Sequence, residues 1–185
     1  RLGVTGPAGV LEVLRDAPAD SARLQGMAVI AHPHPLFGGT MDNKVVTTLA
    51  RAFFDAGAAT WRFNFRGVGR SEGQHDEGRG ETADMLRVIA HTMAQHPSLP
   101  LWLSGFSFGG AVTQAASEQA AASEMILVAP SFQRLAQWQE RPAESAARPE
   151  NTLIIHGEKD ETVALTDSFD WARTRNIPVT VVPGA

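Results

Sequence analysis

The stretch Pro100-Leu101-Trp102-Leu103-Ser104-Gly105-Phe106-Ser107-Phe108-Gly109-Gly110 constrains this chain more than any other. An apolar run stops at a Gly-x-Ser-x-Gly core, and an Ala-rich segment, 111–122, follows at once. That order spells strand, sharp turn, helix. Gly105 and Gly109 suit a turn that brings strand and helix so close that a side chain would strike the neighbouring backbone. Ser107 is then held strained and exposed, with backbone N–H groups of the new helix pointing toward it. A nucleophile whose product is an oxyanion needs such a setting. A plain glycine-rich turn would need neither the apolar strand before it nor the helix after it.

Around this turn the chain alternates strands and helices. Residues 2–5 and 9–14 predict an antiparallel hairpin across Gly6-Pro7. Met27–Ala31 is a short continuous apolar run, as expected of a strand covered on both faces. The loop His32-Pro33-His34-Pro35-Leu36-Phe37-Gly38-Gly39-Thr40 follows. Thr40 or Asp42 is expected to cap a helix with Val45, Val46, Leu49, Phe53 and Phe54 at helical spacing, ended by Gly57. Ala58–Phe65 predicts a strand with Trp61, Phe63 and Phe65 on one face, and 81–95 a helix with Met85, Leu86, Val88, Ile89 and Met93 inward. Strands are expected at 125–129, 152–156 and 179–182, with helices between Pro130 and Pro149 and over 162–175. The whole reads as one domain over 1–185: a three-layer α/β/α sandwich on a mostly parallel sheet, with an antiparallel N-terminal hairpin and no large lid domain. Catalytic groups then gather at the carboxyl ends of the strands.

Composition removes several classes. The 185 residues carry a net charge of −4 and two lysines, Lys44 and Lys159, with scattered arginines. This argues against nucleic-acid binding or a membrane surface. No apolar run approaches the roughly 20 residues needed to cross a bilayer. Cysteine is absent, which excludes a disulfide framework and a thiol nucleophile and is compatible with a cytoplasmic location. The glycines at 67, 69 and 73 miss the spacing of a dinucleotide fingerprint. His32 and His34 make an H-x-H pair that could bind a metal, but with no second ligand cluster they read as structural loop histidines. Neither cofactor nor metal is expected.

A serine nucleophile needs a base, and the base an acid. Asp160 is the best acid, just past an apolar strand in the pattern His-Gly-x-x-Asp; Glu158 and Glu161 are weaker candidates. Phe108, after the nucleophile, supplies one oxyanion N–H. The second should come from the loop after Ala31, where Pro33 and Pro35 have no N–H, leaving His34 and Leu36, with Leu36 preferred.

The chain resembles the α/β-hydrolase superfamily, and within it the small, compact bacterial hydrolases. The likeness covers essentially the whole chain and is carried by 32–44 (HPHPLFGGTMDNK), 65–73 (FRGVGRSEG), 105–110 (GFSFGG) and the Asp160 stretch. It implies the chain order serine, acid, histidine and metal-free hydrolysis of an ester or related acyl bond in a small-molecule substrate. It also implies a catalytic histidine in the loop after the last strand. None of the six histidines occupies that place. The expectation is therefore a fragment incomplete at both ends, with the histidine about two residues past Ala185 and a final helix beyond. The alternatives are a non-catalytic binding protein on this fold, and a peptidase or cofactor-free perhydrolase; a dehalogenase would want a carboxylate in place of Ser107. With only 130–151 between two strands there is no room for a cap with its own core. Soluble short-chain esters are therefore expected as substrates.

Overall fold

A computed structural model describes residues 1–20, 24–133, 149 and 151–185. Its elements are β1 (Leu2–Gly6), β2 (Gly9–Asp16), β3 (Gly26–Ala31), α1 (Lys44–Asp55), β4 (Ala58–Phe63), α2 (Arg79–Gln95), β5 (Leu101–Phe106), α3 (Phe108–Ser117), β6 (Glu124–Val128), β7 (Asn151–Gly157), α4 (Leu165–Arg173) and β8 (Val179–Val182). The strands form one sheet in the order β1-β2-β4-β3-β5-β6-β7-β8. The pairs β1·β2 and β2·β4 are antiparallel and every other pair is parallel. This is the expected sandwich with its N-terminal hairpin.

Period-two alternation explains why β3 is apolar throughout. Met27, Val29 and Ala31 join a core with residues of α2, α3 and α4, whereas Ala28 and Ile30 pack with Val46, Leu49 and Phe53 of α1 on the other face. Trp61, Phe63 and Phe65 share the larger core, as their spacing predicts. Inward residues of α2 are Met85, Val88 and Ile89, with Leu86 and Met93 at the margin. Gly57, at φ 88°, takes the left-handed position that ends α1.

Some boundaries differ from expectation, each for a local reason. Asn43 caps α1, accepting Val45 N–H at 2.9 Å. Of the expected caps, Thr40 bonds Asp42 N–H and Asp42 pairs with Arg62 and Arg1. Helix α3 stops at Ser117, where the Ser117 hydroxyl turns back to Gln114 O at 2.7 Å. Helix α4 begins only at Leu165, because Asp160 captures the amides of Thr162 and Val163 in a turn. Apart from its first residues, the helix expected between Pro130 and Pro149 lies outside the described residues.

Two buried clusters hold the loop after β4 beside the sheet ends. Arg66 and Asp84 form a two-pronged pair at 2.8 and 2.7 Å, with the carboxylate holding the guanidinium charged. Glu12 accepts Arg70 N–H at 3.0 Å and Asn64 Nδ2–H at 2.9 Å. The Arg70 amide is the largest cause of its lowered pKa, partly opposed by burial.

Candidate active site

Ser107 sits between β5 and α3 with φ 55° and ψ −117°, a region that a residue with a Cβ rarely occupies. The neighbouring chain over-determines this turn. Ser107 N–H donates to Val128 O at 2.9 Å, and Ser107 O accepts from Gly110, Ala111 and Ser131 N–H. A Cβ on Gly105 would collide with the Gly109 carbonyl, and one on Gly109 with the carbonyls of Ala31 and His32. Both glycines are therefore required by close approach, and the second presses the start of α3 against the loop after β3. Ser107 Oγ lies 3.3 Å from Ser131 Oγ, a neighbour that no sequence signal announces.

Asp160 stands past the end of β7. Its Oδ1 accepts Thr162 N–H at 2.8 Å and Val163 N–H at 2.9 Å, and its Oδ2 lies 3.7 Å from His156 Nε2. Among the weaker acids, Glu158 binds Gly184 N–H at 2.8 Å and Glu161 is exposed. Strand β8 runs alongside. Glu158 N–H donates to Val182 O at 3.0 Å and Lys159 N–H to Ala185 O at 2.6 Å.

Ser107 and Asp160, 53 residues apart in the numbering, line one cavity of about 270 Å³ with Pro33, His34, Phe37, Phe106, Thr162 and Val163. Its walls are mostly apolar, and Asp160 is the acidic group among the described lining residues. A hollow of about 310 Å³ between Asp16, Arg51 and Arg62 is larger. Its arginines are already paired with Asp16, Asp42 and Asp55, and it does not include Ser107.

The loop after β3 separates its two histidines. His32 is wholly buried. Its Nδ1 donates to Pro33 O at 2.7 Å and its Nε2 accepts Phe65 N–H at 3.0 Å. That pattern defines one neutral tautomer and occupies the lone pair a metal would need. Burial lowers its pKa to about 4, partly opposed by the hydrogen bond to Pro33. His34 instead faces the cavity. Its ring packs on Phe37 and Phe108, centroids 4.8 and 4.7 Å apart, and on His75 at 5.0 Å. His34 Nδ1 accepts Leu36 N–H at 3.2 Å, making His34 the cap of the short turn Pro35–Phe37. The preferred second oxyanion donor, the Leu36 amide, is thus turned toward the His34 ring, and Leu36 is absent from the described cavity lining. His75 Nδ1 lies 2.9 Å from Glu81 Oε1, off the line of a hydrogen bond. Phe108, the first residue of α3, is buried beneath these rings.

An eight-stranded, mostly parallel sheet with a strained serine at the β5–α3 turn defines the α/β serine hydrolases. The comparisons agree. The chain belongs to the family described as serine aminopeptidase, S33, whose model matches residues 36–149. It is similar to the structure of an α/β serine hydrolase homologue from Coxiella burnetii, at 37% identity and TM-score 0.89, covering 100% of this chain and 86% of that one. A Xanthomonas campestris protein described as an α/β serine hydrolase without lid matches at 37% identity and TM-score 0.85, over 98% and 81% of the two chains. A curated relative, an uncharacterized protein of Rickettsia prowazekii (strain Madrid E), is 41% identical over 105 residues. That match spans 56% of this chain and 43% of the relative's length. Among the described residues no helix is long and apolar enough to cross a membrane.

Proposed function

We propose that this protein is a serine hydrolase that cleaves a carboxylic ester or related acyl bond through an acyl-enzyme intermediate. One observation carries the reading: Ser107, in a conformation normally too costly for serine, opens onto the cavity that also receives the carboxylate of Asp160. In this reading Ser107 Oγ attacks the acyl carbonyl while an imidazole takes its proton, and Asp160 orients that imidazole and stabilises its charge. The oxyanion is held by the N–H of Phe108 and by that of His34, the one of the two expected loop donors whose residue lines the cavity. The imidazole then protonates the departing alkoxide or thiolate, and water releases the acid by the reverse steps.

The base in this proposal is a histidine of the loop after β8. That loop is tied beside the proposed acid, Lys159 N–H donating to Ala185 O. His156 cannot serve, because both ring nitrogens are already bonded and the ring is wholly buried. His32 is likewise committed on both sides. The apolar walls favour an uncharged acyl group over the ammonium that an aminopeptidase must recognise.

A fluorophosphonate probe applied to the full-length protein tests the reading, with the adduct located by peptide mass spectrometry. The label should fall on Ser107, and Ser107→Ala should abolish both labelling and ester turnover. A Ser107→Ala protein hydrolysing at near the wild-type rate would overturn it.

A further inference from the structure

The proposed chemistry gives no task to His156, a wholly buried titratable group beside Asp160. We propose that His156 is a positioning residue for the catalytic acid, an inference that rests on Asp160 being that acid. Its tautomer follows from its partners. Val163 O, 2.9 Å from Nε2, can only accept, so Nε2 carries the proton. Nδ1 is then a lone pair, and the Ser168 hydroxyl of α4 donates to it at 2.8 Å. The ring therefore joins three elements: it belongs to β7, is held from behind by α4, and grips the loop that carries Asp160.

That grip reaches the carboxylate by two routes. Val163 is bonded at both ends of its backbone, its O accepting from His156 and its N–H donating to Asp160 Oδ1 at 2.9 Å. Moving the ring would move Val163, and with it one of the two amides that aim Oδ1. The same protonated Nε2 faces Oδ2 at 3.7 Å. That is too long for a hydrogen bond but within reach of electrostatic attraction. Oδ1 is fixed by backbone and Oδ2 is drawn toward the imidazole N–H, so the carboxylate plane has little freedom. The His-Gly-x-x-Asp spacing thereby acquires a physical reason: the histidine four residues before the acid lies under the loop's return.

The test uses the full-length protein in wild-type, His156→Gln, His156→Leu and Ser168→Ala forms. The readouts are the fluorophosphonate labelling rate at Ser107, and kcat and KM for a soluble p-nitrophenyl ester. Loss of the ring should lower kcat and labelling about tenfold or more in His156→Leu, the scale expected when a catalytic group is misplaced, with KM within about twofold of wild type. His156→Gln, whose amide can still donate to Val163 O, should recover most of the loss. If His156→Leu fails to fold by circular dichroism, Ser168→Ala carries the test, since it frees the ring without removing it. It should lower kcat several-fold at unchanged KM. Wild-type kcat per folded molecule in His156→Leu or Ser168→Ala, a loss confined to KM, or a Gln variant no better than Leu would overturn the inference while leaving the serine hydrolase reading intact. A wild-type protein that takes no label would overturn that reading, and this inference with it.

Discussion

Acid should weaken this fold through His32, and the size of the effect follows from the ring's surroundings. A second proton would turn Nε2 from acceptor to donor opposite the Phe65 N–H, and would place a charge where no water reaches. The folded pKa is therefore about 4, against 6.5 for an unperturbed histidine. Between those values the unfolded chain binds a proton that the folded one refuses. The stability tied to neutral His32 is thus fully present above pH 6.5 and is lost as pH falls toward 4. At about 1.4 kcal/mol per pKa unit the limiting loss is roughly 3 kcal/mol, and by about pH 4.5 roughly 2.5 kcal/mol should already be gone. Urea unfolding of wild type and His32→Asn at about pH 7.5 and 4.5 isolates this contribution from the other titrating groups. The variant should be less stable at neutral pH by about 1–3 kcal/mol, having left the Phe65 N–H unpaired. Its further loss on acidification should be smaller than wild type's by roughly 2.5 kcal/mol. Equal acid losses in the two proteins, or a His32 imidazole resonance titrating near 6.5 in the folded state, would refute the reasoning.

Other substitutions test other parts of the account. Asp84→Ala strands the Arg66 guanidinium in a buried setting; it should cost about 3–5 kcal/mol in urea melts, and a cost below about 1 kcal/mol would show that the pair does not hold the loop. Gly109→Ala drives a methyl group into the carbonyls of Ala31 and His32; destabilisation of about 1–3 kcal/mol is expected, with hydrolysis lost because the Phe108 amide shifts, and a fully active variant would contradict the close packing. Among the described residues the cavity reaches exposed Phe37; soluble short-chain esters should be turned over without activation at a lipid interface, and a jump in rate as a substrate passes its solubility limit would count against this expectation.

Local order made much of the fold legible. The run from Met27 to Ala31 is apolar at every position because each residue meets a helix on one face or the other, and continuous burial leaves that mark on a sequence. Gly105 and Gly109 flag the turn because only glycine fits where strand and helix backbones touch. The candidate serine and acid were legible for a related reason. In a parallel sheet a loop that follows an apolar strand opens on the same edge as every other such loop, so Ser107 and Asp160 could be paired without knowing a single distance.

Readable along the chain alone are the run of strands and helices, the strained serine turn and the loop that bears the candidate acid. These depend on the residues' own shapes and periodicity. Which polar atoms meet is instead set by long-range packing. Nothing in a Pro-His-Pro loop says that one histidine turns into the core to meet the Phe65 amide while its neighbour two residues on packs over Phe108. Nor does the spacing announce that Ser131 approaches Ser107, that the Leu36 amide is taken by the His34 ring, or that Val163 links His156 to Asp160. The physical reason is range. Backbone preference and hydrophobic period act over a few residues and leave local traces, whereas a hydrogen bond between distant side chains is chosen by the packing that first brings them together.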